Sequence, residues 1–164
     1  MKQLLSITVI LFLTTLLLCG CATTEERAAR AAAKAAKVQT ALAERQFKLS
    51  INRMYPLRGG TRQLSFGYSI EVRNDSLISY LPFFGRAYSV PYGGGKALNF
   101  SERIGSYQET LKADGLHHIE IGVKNEEDTY VYFLDVYDNG KATVDVQSYE
   151  RDRISFSGTM ELEE

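Results

Sequence analysis

From Phe47 onward the chain repeats one pattern: apolar residues at every second position, in short runs separated by polar turns, with no helical period between them. Phe47, Leu49 and Ile51 alternate with Lys48, Ser50 and Asn52, and residues 54–60 are expected to end that strand. Residues 64–72 alternate as one half-buried strand, and Asn74-Asp75 turns it into a hairpin with 76–81. Residues 106–112 follow, then Ile119, Ile121 and Val123, then a polar turn at 125–128. Residues 129–137 are apolar on both faces, which predicts a central strand or one covered on both sides. Asp138-Asn139-Gly140 is a strong turn signal. Ala142, Val144 and Val146 form one inward face, and Ile154, Phe156, Met160 and Leu162 another. The expectation is an all-β domain, an antiparallel meander of about eight strands curled into a barrel or half-barrel. Most of these strands lack the length and the apolar outward face of a membrane barrel, which needs about 9–11 residues per strand.

Two segments precede the β domain, which is taken as residues 47–164. Residues 1–20 read as a signal peptide, with Lys2 before an apolar run from Leu4 to Leu18 that is short for a membrane span. Leu18-Cys19-Gly20-Cys21 resembles a lipoprotein cleavage site, in which Cys21 becomes the acylated N-terminus. The alternative is an ordinary secretory peptide. Several acyl chains would anchor the protein stably, at about 0.8 kcal/mol per buried methylene. Residues 21–46 are rich in Ala, Arg, Lys and Glu, all strong helix formers, with capping-box spacing from Thr23 to Glu26. The helix reads as a semi-rigid spacer; the alternative is that its Val38–Leu42 end packs on the domain.

Charge and cysteines exclude several functions. The net charge of −1 supplies no basic excess for nucleic acid. Both cysteines, Cys19 and Cys21, lie at the end of the leader, so the domain has no disulfide, thiol nucleophile or cysteine metal site. His117 and His118 are adjacent and point to opposite faces of a strand, so they do not share a metal; a surface or edge position is expected for them. Glu126-Glu127-Asp128 reads as a solvated turn. Gly93-Gly94-Gly95-Lys96 lacks the following Ser or Thr and the helix of a phosphate loop. No cofactor and no catalytic residue is expected, and the chain reads as non-enzymatic.

Residues 80–100, YLPFFGRAYSVPYGGGKALNF, break the strand pattern. Pro82 and Pro91 remove backbone donors, and Gly93, Gly94 and Gly95 suit a reversal rather than a strand. Tyr80, Phe83, Phe84, Tyr88 and Tyr92 make the segment too aromatic for a solvated loop. It is expected to lie over one end of the barrel as a lid, with Phe83 and Phe84 burying it. Arg86, between Gly85 and Ala87, has two readings: an anion clamp in an aromatic mouth, or an arginine whose side chain pins the loop to an acid or to carbonyls.

The run from Ser79 to Tyr88, with Pro91-Tyr92-Gly93-Gly94-Gly95 and Phe100 after it, resembles the DUF4251 family of Bacteroidetes envelope proteins, often lipoproteins. The strand pair before it and the Asp-Asn-Gly hairpin ending in Ser157-Gly158 also resemble that family, over roughly residues 44–160. The resemblance implies an exported all-β domain of no assigned activity and brings no catalytic residues. Together these readings describe a lipid-anchored protein of the cell envelope, at the outer membrane with its face left open. It would bind a small apolar or amphipathic ligand or an envelope component, in a cavity lined by Phe83, Tyr88, Tyr92 and inward strand residues. The alternative is an interaction lipoprotein that docks a protein partner, with a packed core, Tyr80–Tyr92 sealing one end and an exposed aromatic patch elsewhere.

Overall fold

The computed structural model describes residues 24–65, 67–89 and 95–162; the leader, Cys21, Thr23, Tyr92, Gly93 and Gly94 lie outside them. The chain divides into a unit ending at Ala33 and a unit of Lys34–Glu164. Helix α1 spans Thr24–Ala43. In the first unit, Arg30 pairs with Glu26 one turn back at 2.5 Å. No helix among the described residues is long and apolar enough to cross a membrane.

The second unit is built from strands β1 (Gln46–Pro56), β2 (Arg62–Gln63), β3 (Ser69–Arg73), β4 (Ser76–Tyr80), β5 (Asn99–Leu111), β6 (Leu116–Lys124), β7 (Thr129–Tyr137), β8 (Lys141–Ser148) and β9 (Ile154–Glu161). All are paired antiparallel in a meander from β3 to β9. β1 pairs with β3 along one edge and with β9 along the other, which closes a ring of eight strands; β2 adds only a two-residue ribbon to β1. A closed ring leaves no long free edge to aggregate.

Alternation fills the inside. Leu49, Ile70, Val72, Leu77, Ile119, Ile121, Leu134, Val144 and Phe156 are buried, and Tyr130 and Tyr132 are fully so. The Phe100 ring stacks on Tyr130 and meets Tyr132 edge-on. Val38 and Leu42 belong to the same core, so the last turns of α1 pack on the strands rather than only spacing them. Arg45 then takes a left-handed conformation (φ 52°), ends the helix and turns the chain into β1.

Two irregularities explain where alternation misplaces boundaries. A register shift between Ile51 and Arg53 carries β1 on to Pro56 and returns Met54 to the interior, so residues 54–60 do not end the strand at Asn52. A second shift, between Ile104 and Ser106, means that β5 starts at Asn99 rather than 106: Phe100 and Ile104 keep one phase and Tyr107 the next. Residues 64–72 are not one strand. Gly67 (φ 107°) interrupts them, and only Ser69–Arg73 continues as β3. β7 is central as expected, but only one of its faces is fully buried; Val131 and Phe133 on the other stay half-buried.

Gly158 sets the closure. A Cβ there would collide with the Ser50 carbonyl across the β1–β9 seam. Gly158→Val is expected to destabilise the domain by about 1–3 kcal/mol through forced backbone shifts. Leu42→Ala is expected to cost about 2–5 kcal/mol because Leu42 is core. Urea unfolding measures both; a Leu42→Ala midpoint equal to wild type would return α1 to a mere spacer.

Candidate functional site

In a meander the connections alternate between the two ends. The helical turn of residues 34–43, with turns 74–75, 112–115 and 138–140, occupies one end. Connections 57–68, 81–98, 125–128 and 149–153 gather at the other, here termed the aromatic end.

Residues 81–89 and 95–98 of the segment that breaks the strand pattern lie at this end, and main-chain bonds tie them to it. Leu81 N–H donates to the Leu98 carbonyl at 3.4 Å, which closes the loop at its base. Residues 86–88 then add to the β8–β9 connection: Tyr88 N–H donates to the Glu150 carbonyl at 2.7 Å, and Asp152 N–H to the Arg86 carbonyl at 2.9 Å. Lys96 N–H donates to Glu127 Oε1 at 2.8 Å, and the Tyr130 hydroxyl donates to the Ala97 carbonyl at 3.0 Å. Burial of its ring raises the Tyr130 pKa, which keeps that hydroxyl a donor.

Beneath the loop lies a buried ionic cluster. Arg151 Nη2 donates to Glu127 Oε2 at 3.0 Å, and Nη1 donates to Asp128 Oδ2 at 3.3 Å and to the Tyr130 hydroxyl at 3.4 Å. The Arg151 and Asp128 side chains are 3% and 0% exposed. Asp128 also accepts from the Ser148 hydroxyl and from the N–H groups of Thr129, Tyr149 and Glu150. This corrects the reading of 126–128 as a solvated turn: Glu127 and Asp128 are the counter-charges of Arg151. No periodicity marked Arg151, which sits in a polar hairpin connection and reads like any turn residue. Gly95 has no Cβ because one would press on Glu127 and on Arg151 Nη2, 3.0 Å away. Gly95-Lys96 thus meets a carboxylate, the reverse of a phosphate cradle.

Above the cluster, Arg58, Phe83, Phe84, Gly85, Arg86 and Asp152 line a surface pocket of about 260 Å³. This corrects three expectations. Phe83 is half-buried, but Phe84 is 42% exposed, and its ring carries the Arg62 guanidinium at 3.7 Å. Tyr88 is 68% exposed, so it is not part of a buried lid, and the pocket that includes Phe83 takes no inward strand residue. Arg86 does pin the loop, but with its main chain: its N–H donates to Asp152 Oδ2 at 3.0 Å, while its guanidinium makes no hydrogen bond or ion pair among the described residues. Tyr88 donates its hydroxyl to Asp152 Oδ1 at 2.7 Å. The Arg86 N–H and then the Tyr88 hydroxyl hold the Asp152 carboxyl below its usual pKa, and the same bond raises that of Tyr88. Pro82 follows the buried Leu81, and Tyr80 is half-exposed and stacked on Tyr68. Tyr55, Leu57 and Tyr149 add further exposed apolar surface.

The histidines face opposite ways, as alternation requires. His118 lies outward, with Nδ1 at 2.6 Å from Asp135 Oδ1. His117 is buried rather than on the surface, because β6 turns 117, 119, 121 and 123 inward; its Nδ1 is 2.8 Å from Glu109 Oε1.

Fold and site together define a closed eight-strand antiparallel barrel with a surface pocket of Arg58, Phe83, Phe84 and Arg86 on one loop end. The model of the family described as Domain of unknown function (DUF4251) matches residues 29–160, and the chain belongs to that family. A crystal structure of a DUF4251 family protein from Bacteroides eggerthii DSM 20697 is similar, with a TM-score of 0.60 and 14% identity, covering 79% of this chain and 88% of that one. At that identity the likeness concerns the fold alone. No curated protein matches the chain.

Arg151→Met is expected to destabilise the domain by about 3–5 kcal/mol, since it leaves two buried carboxylates without their cation; chemical denaturation measures it. Asp152 gives a pH signature. With its folded pKa depressed, its contribution is complete above the unfolded value of about 3.9 and is lost as pH falls through the lower folded value. The melting-temperature gap between wild type and Asp152→Asn should therefore be constant near neutrality and shrink below about pH 4.

Proposed function

We propose that this protein is a lipid-anchored, non-catalytic binding module of the cell envelope that takes its ligand on the aromatic end of the barrel. The observation that carries this reading is the pocket of Arg58, Phe83, Phe84 and Arg86, whose Arg86 main chain is bonded to Asp152 of the β8–β9 connection. A filled core of Tyr130, Tyr132 and Phe156 favours an end-face ligand over an internal one. Exposed Phe84 in the pocket wall, with exposed Tyr80, Tyr88 and Tyr149 on the same end of the barrel and with the arginines, has the composition of a recognition surface. The same exposed aromatics favour a second reading, a docking surface for an envelope protein. The lipobox-like Leu18-Cys19-Gly20-Cys21 supports anchoring at the outer membrane.

Native mass spectrometry of the protein released from its native membranes tests the reading. Wild type is expected to carry a bound small molecule, or a protein under the second reading, and Phe84→Ala with Tyr149→Ala to lose it. Wild type free of any bound species, or a variant that retains the species fully, sinks the proposal. For the anchor, Cys21→Ser is expected to abolish palmitate incorporation.

A further inference from the structure

The aromatic-end pocket concentrates positive charge on a chain whose net charge is only −1. Arg58 and Arg86 line it, and Arg62 stands on the Phe84 ring at its edge. The one carboxylate in its wall, Asp152, opposes an anion. Both its oxygens, however, are already engaged by neutral donors, the Arg86 N–H and the Tyr88 hydroxyl. The guanidiniums of Arg58 and Arg86 carry no hydrogen bond or ion pair among the described residues, although both lie close enough to Asp152 to act on its charge. Each therefore keeps its planar fork of donors free, and that fork matches the two oxygens of a carboxylate or phosphate. Phe83 and Phe84 supply an apolar wall beside them. The volume, about 260 Å³, suits a ligand near the small end of the range of binding pockets.

We infer that this pocket binds a small organic oxyanion, a carboxylate or phosphate monoester, through the side chains of Arg58 and Arg86. The inference rests on the end-face reading above and names its ligand class. The main chain of Arg86 holds the loop and its side chain takes the ligand, so Arg86→Gln spares the anchor while removing the charge.

The test is ligand-observed NMR titration of the mature chain in detergent with glucuronate, glucose 6-phosphate and neutral glucose. At least one of the two anions is expected to bind, and glucose at least about tenfold more weakly. Arg58→Gln with Arg86→Gln is expected to lower anion affinity by about tenfold or more at an unchanged melting temperature. Added salt should weaken binding by wild type and much less by the variant. The assignment is overturned if glucose binds as well as the anions, if the double variant binds them unchanged, or if neither anion binds. In the last case, loss of the co-purified species on Phe84→Ala with Tyr149→Ala would still uphold the end-face reading by itself.

Discussion

A guanidinium withdrawn from water is costly unless charge and acceptors meet it, and Arg151 is met by groups from two neighbouring parts of the chain. Glu127 and Asp128 come from the β6–β7 connection, Tyr130 from β7, and Arg151 itself from the β8–β9 connection. The loop of 81–98 then attaches to the same groups, through Lys96 on Glu127 and Ala97 on Tyr130. Without Arg151, Glu127 and Asp128 would be left without the cation that both pair with. Replacing such a cluster by apolar residues of equal volume often costs nothing. Its value here lies in geometry: a charge network admits one arrangement of three connections, where a greasy contact would admit several.

Closure and filling follow from simpler rules. β1 uses both edges, β3 on one and β9 on the other, and the bulge at Ile51–Arg53 bends it enough to do so. Gly158 lets the seam close against Ser50. Tyr130, Tyr132 and Phe100 occupy the space that a wider or emptier barrel would give to a ligand. The space open to a ligand is thereby left at the surface, and at the ends connections rather than strands present side chains.

The period-two pattern made the barrel legible, because eight alternating runs without intervening helices leave few other architectures. It placed the inward faces of β6, β8 and β9 correctly and separated His117 from His118. It erred wherever the backbone departs from strict alternation: at the bulges in β1 and β5, and at Gly67, where one apparent strand is two. The break after Tyr80 was legible from its prolines and glycines; the burial expected of its aromatics was not met, since Phe84 and Tyr88 are exposed. Arg151 was not legible. Its role depends on three connections meeting in space, and each, read alone, is an ordinary polar turn. Phe84 misled for the converse reason: an aromatic pair in a non-strand segment reads as buried, but the Phe84 ring lies against Arg62 and Gly59 and is still 42% exposed.

Arg86 reconciles the two readings its neighbourhood suggested. A loop residue can pin its loop or hold a ligand, and a single side chain rarely does both. In the binding we propose, the tasks are divided within one residue: the amide and carbonyl of Arg86 bond to Asp152, and the guanidinium has no hydrogen bond or ion pair among the described residues. A cation fixed at its root and free at its tip loses little further backbone entropy on binding, so more of each contact appears as affinity. The buried Arg151 ties down the β8–β9 connection to which Arg86 is bonded. One arginine is therefore spent on holding the surface in place, and the other is left available at it.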